Sequence, residues 1–433
     1  MEWMVYPPAL MALMFKDLYR GIGLSNVARR LGMGMGPLPW EDHHKSPRIW
    51  VHALSFGEVR AALPLLSAIK KRWPNGVLMA SSSTASGLAE LENRAGGALD
   101  QLVPMPYDFT PCLLRTIRSL SPHCFVLIET DVWPNLLWRL KERGTRILFA
   151  NGAISSRAKR RLSRVRRVAR FLYGPFDHIC MQSGRDVKRL MGLGIEAWRI
   201  SDCGSLKFDA LPMAPEEEVV RETGREFGLG GDHRINCVFG SLHKGEERCL
   251  LDCVAHFQAQ GCLDRVRFVV APRYPEISND LKKRLSGAGL KVVLMSEFPR
   301  LQDSPASSDF NCLIVDTLGE LIRFYAVAHV AVLGGTFVPV GGHNVLEPVS
   351  LGLPTIVGPY VESIEDVCRE LQERDALIRV DSWKGFPEAL STLMKSPDLR
   401  RAIGERARAY VDARRGVKER YVALIEELLD ETR

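Results

Sequence analysis

Several places in the 433-residue chain set a charged side chain at the end of a short apolar run, where it can act on a bound molecule. Glu58 follows the apolar run 49–53 and opens a helical pattern carrying Leu63, Leu66 and Ile69. A carboxylate in a helix's first turn either balances the helix dipole or reaches out as a general base for a hydroxyl. The run 125–128 empties into Glu129-Thr130-Asp131-Val132-Trp133-Pro134-Asn135. Asp131, ahead of Pro134, reads as the cap of the next helix, which leaves Glu129 as the carboxylate for a site. Lys207 stands in Gly204-Ser205-Leu206-Lys207-Phe208-Asp209, after the run 198–204. It is either a surface lysine or a cation that meets a phosphate. Arg273, in Ala271-Pro272-Arg273, closes the run 266–270 and has the planar fork that binds phosphate through two hydrogen bonds.

The densest stretch is 313–359. Apolar runs at 313–315, 330–333 and 355–357 alternate with helical patterns over 317–328 and 344–351. Gly334-Gly335 and Gly341-Gly342-His343-Asn344 lie at strand ends, where open α/β sheets bind ligands. Glycines there let a backbone approach a ligand closely, and a helix starting near Asn344 would aim its N–H groups at an anion. Glu347, one turn in, can accept from a ribose hydroxyl. A tight turn between strand and helix is the competing reading. No G-x-G-x-x-G is present.

These side chains need a scaffold of strands ending in loops, and the whole chain repeats that theme. Short apolar runs alternate with helical patterns from residue 49 to 204 and again from 235 to 357, which predicts two α/β lobes with parallel sheets. The expected organisation is an N-terminal segment 1–45, a Rossmann-like lobe 46–212 for the acceptor, and a second Rossmann-like lobe 213–415 for a nucleotide sugar. A last helix, 416–433, is expected to pack back on the first lobe. Two such lobes facing a cleft are the GT-B glycosyltransferase architecture. The absence of a D-x-D triplet predicts a reaction without a metal cofactor.

Composition is that of a globular protein, 46% hydrophobic and 25% charged with a net charge of +7. The ten cysteines form no C-x-x-C pair, so reduced buried thiols are expected rather than a metal site at Cys249 and Cys253. No apolar run reaches the ~20 residues of a spanning helix. The Met-, Leu- and aromatic-rich start is broken by Pro7-Pro8 and followed by Lys16, Arg20, Arg29 and Arg30. It reads as a segment lying in a membrane interface with its cations toward anionic headgroups, or else as a helix packed on its own domain. Residues 157–170 hold eight Lys or Arg in fourteen, with Leu162, Val165 and Val168 or Ala169 as an apolar face. No nucleic-acid motif accompanies them, so an anionic lipid surface is the preferred partner and a solvated basic face the bland one.

In six ordered motifs the chain resembles the 3-deoxy-D-manno-octulosonic acid (Kdo) transferases of Gram-negative bacteria. They are His52-Ala53-Leu54-Ser55-Phe56-Gly57-Glu58, Glu129 through Asn135, Gly204 through Asp209, Ala271-Pro272-Arg273, Asp316-Thr317-Leu318-Gly319-Glu320-Leu321, and Gly341-Gly342-His343-Asn344-Val345-Leu346-Glu347-Pro348. The resemblance implies an inverting, membrane-associated GT-B enzyme on the cytoplasmic face of the inner membrane. Its donor would be CMP-Kdo and its acceptor the tetraacylated lipid A precursor. Glu58 would be the proton acceptor, with Glu129 and Lys207 stabilising the transition state. CMP would contact Pro272, Arg273, Leu318, Gly319, Glu320, Asn344, Val345, Leu346 and Glu347. The chain departs from the family's usual residues at Tyr274, over 360–364, and at Asn151-Gly152-Ala153-Ile154-Ser155, where an arginine of the family's usual stretch is missing. The competing readings are a GT-B transferase of a UDP-sugar and a non-catalytic nucleotide-binding scaffold, which would need none of Glu58, Glu129 and Lys207.

Overall fold

Among the described residues the alternation of apolar runs and helices becomes two separate sheets of seven strands, all parallel. The computed structural model describes residues 2–19, 23–33, 46–95, 97–129, 132–213, 217–230, 233–300 and 310–430. It divides into one unit made of residues 1–210 with 414–433 and a second of 211–413.

In the first unit the strands are β1 (Arg48–His52), β2 (Val77–Ser82), β3 (Gln101–Pro104), β4 (Cys124–Ile128), β5 (Arg146–Gly152), β6 (His178–Met181) and β7 (Ile200–Asp202). Their order is β3-β2-β1-β4-β5-β6-β7. The chain steps outward one way from β1 and the other way from β4, so the β1/β4 boundary is a topological switch point. Side chains alternate across the sheet as the two-residue period demands. Ile49 and Val51 of β1, with Cys124, Val126 and Ile128 of β4, enter one core, while Trp50, Phe125 and Leu127 enter the core on the opposite face. Helix Phe56–Arg72 and the C-terminal helix Val417–Asp430 cover the first face. The latter buries Val417, Tyr421, Ile425 and Leu428, a stripe at helical spacing. At about 1.5–3 kcal/mol for each large apolar side chain, that stripe contributes on the order of 6–12 kcal/mol before chain entropy is subtracted.

In the second unit β8 (Ile235–Leu242), β9 (Val266–Pro272), β10 (Val292–Leu294), β11 (Cys312–Ile314), β12 (Val330–Leu333), β13 (Thr355–Val357) and β14 (Ile378–Arg379) form the order β10-β11-β9-β8-β12-β13-β14. The switch point here is β8/β12. Cys237 and Phe239 of β8 pack into one core and Val238 into the other.

Three local expectations are corrected. Helix Glu2–Tyr19 runs through Pro7-Pro8 rather than breaking. The basic stretch 157–170 is two helices, Ser156–Ser163 and Arg166–Tyr173, and of its apolar residues Ala169 is buried while Val165 and Val168 face outward. The expected helices over 317–328 and 344–351 shrink to Leu321–Ala326 and Leu346–Ser350, because Gly319 takes a left-handed φ of 91° and Gly341 and Gly342 do likewise. All ten cysteines are free thiols. Among the described residues no helix is long and apolar enough to cross a membrane.

Candidate active site

The first unit gathers its polar residues at the carboxyl ends of β1, β4, β5 and β7. Glu58 lies in the first turn of Phe56–Arg72, just beyond β1, and is 8% exposed. One of its carboxylate oxygens, Oε2, accepts the Leu54 backbone N–H at 2.6 Å, which fixes its direction. Glu129 follows β4 with φ 67°, and Asn151, near the end of β5, has φ 56°. Left-handed backbone at non-glycine residues is costly, and here it occurs on two adjacent strands. It turns both side chains toward one point. Asn151 Nδ2 donates to Glu129 Oε1 at 3.1 Å, and Lys207 Nζ stands 3.5 Å from the same oxygen.

Asn151 is the hub of this cluster. It is fully buried, and its Oδ1 accepts the Leu206 N–H at 2.9 Å, placing the residue before Lys207. Its own N–H donates to the Tyr421 hydroxyl at 2.7 Å, and its carbonyl accepts from Gln182 Nε2 at 2.8 Å. The motif reading named neither Asn151 nor Tyr421 as a site residue. An Asn straight after a strand is a signal for left-handed backbone; Tyr421, 270 positions away, offers none. The end of β1, the strand before Glu58, carries a second group that the motif reading gave no role. His52 is fully buried, with Nδ1 2.8 Å from Ser81 Oγ, which also accepts from Trp50 Nε1 at 2.8 Å. Burial pulls the His52 imidazole down to about 3, with Arg30 adding to it, so the ring is neutral at neutral pH.

The cap expected of Asp131 lies outside the described residues. Asp108 Oδ1 accepts the Leu136 N–H at 2.9 Å at the start of helix Pro134–Glu142, a capping contact made from another part of the chain. Arg29 and Arg30 do not point to headgroups. Arg29 donates to the Leu102 carbonyl, and Arg30 donates to the Met105 carbonyl and to buried Asp17, which also accepts from the Tyr107 hydroxyl. These contacts pin the first helices to the end of β3. The Lys16 side chain and Arg20 lie outside the described residues.

In the second unit Pro272 ends β9 and Arg273 follows it, exposed, with its N–H on the Leu242 carbonyl. Leu318, Gly319 and Glu320 form the loop beyond β11, where Leu318 is 75% exposed. Asn344, Val345, Leu346 and Glu347 follow the glycine turn. The helix there has five residues, and Asn344 Oδ1 already accepts the Leu346 N–H while its Nδ2 donates to Glu347 Oε1. Of the expected row of helix N–H groups, that of Leu346 is therefore already taken. The three groups all sit at the carboxyl ends of β9, β11 and β12.

The two units together define a class. The fold is shared with a glycosyltransferase from Rickettsia africae ESF-5 (TM-score 0.56, 12% identity, 89% of this chain and 99% of that one). It is equally shared with the UDP-GlcNAc 2-epimerase of Neisseria meningitidis (TM-score 0.58, 11% identity, 88% and 99%), a likeness of fold alone. This is the GT-B fold, two Rossmann-like lobes in series. A family model described as 3-deoxy-D-manno-octulosonic-acid transferase (kdotransferase) matches residues 25–210. The 3-deoxy-D-manno-octulosonic acid transferase of Bordetella pertussis is 30% identical over 387 residues, covering 88% of this chain and 87% of its own. The chain belongs to the Kdo transferase family and is a glycosyltransferase.

Proposed function

We propose that the enzyme transfers Kdo from CMP-Kdo to a hydroxyl of a lipid A precursor, with inversion and without a metal cofactor. The observation that supports this most is the Glu129–Lys207–Asn151 cluster, held by two left-handed residues at strand ends beside the Glu58 strand. Such strain persists where geometry serves a reaction. Glu58 takes the proton of the acceptor hydroxyl as its oxygen bonds to the anomeric carbon of Kdo. The bond from that carbon to the phosphate oxygen breaks, and its electron pair leaves with CMP. Lys207, placed by Glu129 and Asn151, stabilises the charge that develops, and Arg273 meets the phosphate. The second unit holds the nucleotide through Pro272, Arg273, the loop 318–320 and residues 344–347, where Glu347 accepts from the ribose.

The enzyme works, on this reading, at the cytoplasmic face of the inner membrane, where an anionic lipid acceptor resides. In support, Met11, Leu13, Phe15 and Tyr19 of the first helix are exposed, as are Val165, Val168 and Phe171 among the arginines of 157–170. Apolar side chains set among cations suit an anionic lipid interface.

The test supplies CMP-Kdo, generated in place, and the tetraacylated lipid A precursor, with products read by mass spectrometry. A gain of one or more Kdo units by the wild type, and a loss of roughly 100-fold or more in Glu58→Gln, is the expected result. Near-normal turnover by a folded Glu58→Gln would remove Glu58 as the base. No gain with CMP still bound would send the acceptor assignment back to the start, and preferential binding of UDP would favour a UDP-sugar donor.

A further inference from the structure

The switch point of the second sheet carries two imidazoles that the transfer scheme leaves unused. His243, in the loop after β8, and His343, in the loop after β12, meet edge to edge with ring centroids 4.9 Å apart and planes 11° from parallel. Their Nε2 atoms are 2.6 Å apart. A contact that short between ring nitrogens holds one proton, which one ring donates and the other accepts; two N–H groups or two lone pairs would repel.

The surrounding chain builds this meeting. Glu246, 2% exposed, accepts the N–H groups of His243 at 2.8 Å and Gly335 at 2.9 Å on one oxygen, and that of Phe337 at 2.9 Å on the other. One buried carboxylate thus ties the loop after β8 to the loop after β12. Gly334 is needed for the same approach, since a β-carbon there would run into the Ser241 carbonyl. The Gly342 N–H then returns to the Gly335 carbonyl at 2.8 Å, which brings His343 over the loop.

Charged and titratable neighbours face the pair from each side. Arg273 and Tyr274 come from the loop after β9, the Tyr274 ring lying 5.9 Å from that of His243. Lys244 and Glu246 flank His243 in sequence, Glu347 is tied to Asn344, and Glu362 approaches Gly341 from the loop after β13. Burial pushes His343 down to about 4, and His243 and Arg273 add to the depression. Without a ligand His343 therefore stays neutral. An anion seated against it and Arg273 turns that repulsion into attraction.

We propose that His243 and His343 form the seat of the phosphoryl group of the donor nucleotide, and that binding of this anion draws an additional proton onto His343. The proposal rests on the CMP-sugar reading of this unit. As the glycosidic carbon leaves, the phosphate passes from one negative charge to two, and the cationic pair donates a hydrogen bond to the new charge. Glu246 is the positioning residue that holds the two rings together.

The test is calorimetric titration of the full chain with CMP and with cytidine, for the wild type, His343→Gln and His243→Gln, near pH 6 and near pH 8. The expected result is CMP binding weakened roughly 10- to 100-fold near pH 6 in either variant, the loss of a charge-assisted hydrogen bond, with cytidine unchanged. The wild-type preference for the lower pH should exceed that of both variants, and the titration of CMP itself is common to all three. Variants that bind CMP like the wild type at both pH values would overturn the proposal. So would equal losses for CMP and cytidine, which mark damage to the fold. A wild type that binds no CMP would instead remove the donor reading beneath it. Either variant that folds suffices.

Discussion

Asn151→Ala tests whether the site is held together from its hub. The substitution leaves the Leu206 N–H without its acceptor in a buried setting, which costs about 1–3 kcal/mol. Alanine in the left-handed region at φ 56° adds about 1–2 kcal/mol. The sum is roughly 2–5 kcal/mol, a large share of the stability of one lobe. Asn151→Gly relieves the backbone and should recover about 1 kcal/mol of that. Asn151→Asp keeps an acceptor for Leu206 but sets a like charge against Glu129, so it should spare stability more than turnover, which falls at least about 10-fold. Urea unfolding followed by tryptophan fluorescence measures this lobe selectively, since seven of the eight tryptophans, all but Trp383, lie within residues 1–210. An alanine variant within about 0.5 kcal/mol of wild type, or a glycine variant as costly as alanine, would refute this account of the hub.

Two further outcomes follow from the first unit. His52 is depressed to about 3 from 6.5, so the unfolded chain takes up a proton below about pH 6.5 that the folded chain refuses. Stability is then complete above that pH and falls as pH drops toward 3, by about 2 kcal/mol between pH 7 and pH 5. Urea midpoints should show this slope in the wild type and a flatter one in His52→Gln, and parallel slopes would contradict it. Anionic phospholipid vesicles should sediment the protein at low salt and release much of it at high salt, and Leu13→Ser with Phe15→Ser should weaken what salt leaves. Salt-insensitive failure to bind would remove the interfacial reading.

What the sequence reveals tracks the range over which its signals act. The strand positions were readable because an apolar run and the polar residue after it are neighbours, as at Ile128 and Glu129. Strands β10 and β14 were not expected: Val292–Leu294 and Ile378–Arg379 are too short to show a period. At the start of helix Pro134–Glu142 the Leu136 N–H is met by Asp108, a contact from 28 residues away that no local window shows. The split of 157–170 was hidden for another reason. Periodicity assumes that apolar residues face a core, and here Val165 and Val168 do not. Lys207's approach to Glu129, and the links of Asn151 to Tyr421 and His243 to His343, are long-range contacts that no local window contains.

The return of the last helix to the first unit sets a schedule for the chain's birth. Asp209, at the exit from that unit, accepts the N–H groups of Gly416 and Lys418, so departure and re-entry are knotted by one carboxylate. Residues 211–413 are made between those two points. While they are being synthesised, the face that will receive Tyr421 and Ile425 stays bare and the Asn151 N–H waits for its hydroxyl. The second lobe can close on its own sheet during that interval, whereas the first waits for residues 417–430 to leave the ribosome. A ribosome that stops short of residue 417 therefore releases an unfinished first lobe behind the second one, and the Glu129–Asn151–Lys207 cluster sets only after the second lobe has been made.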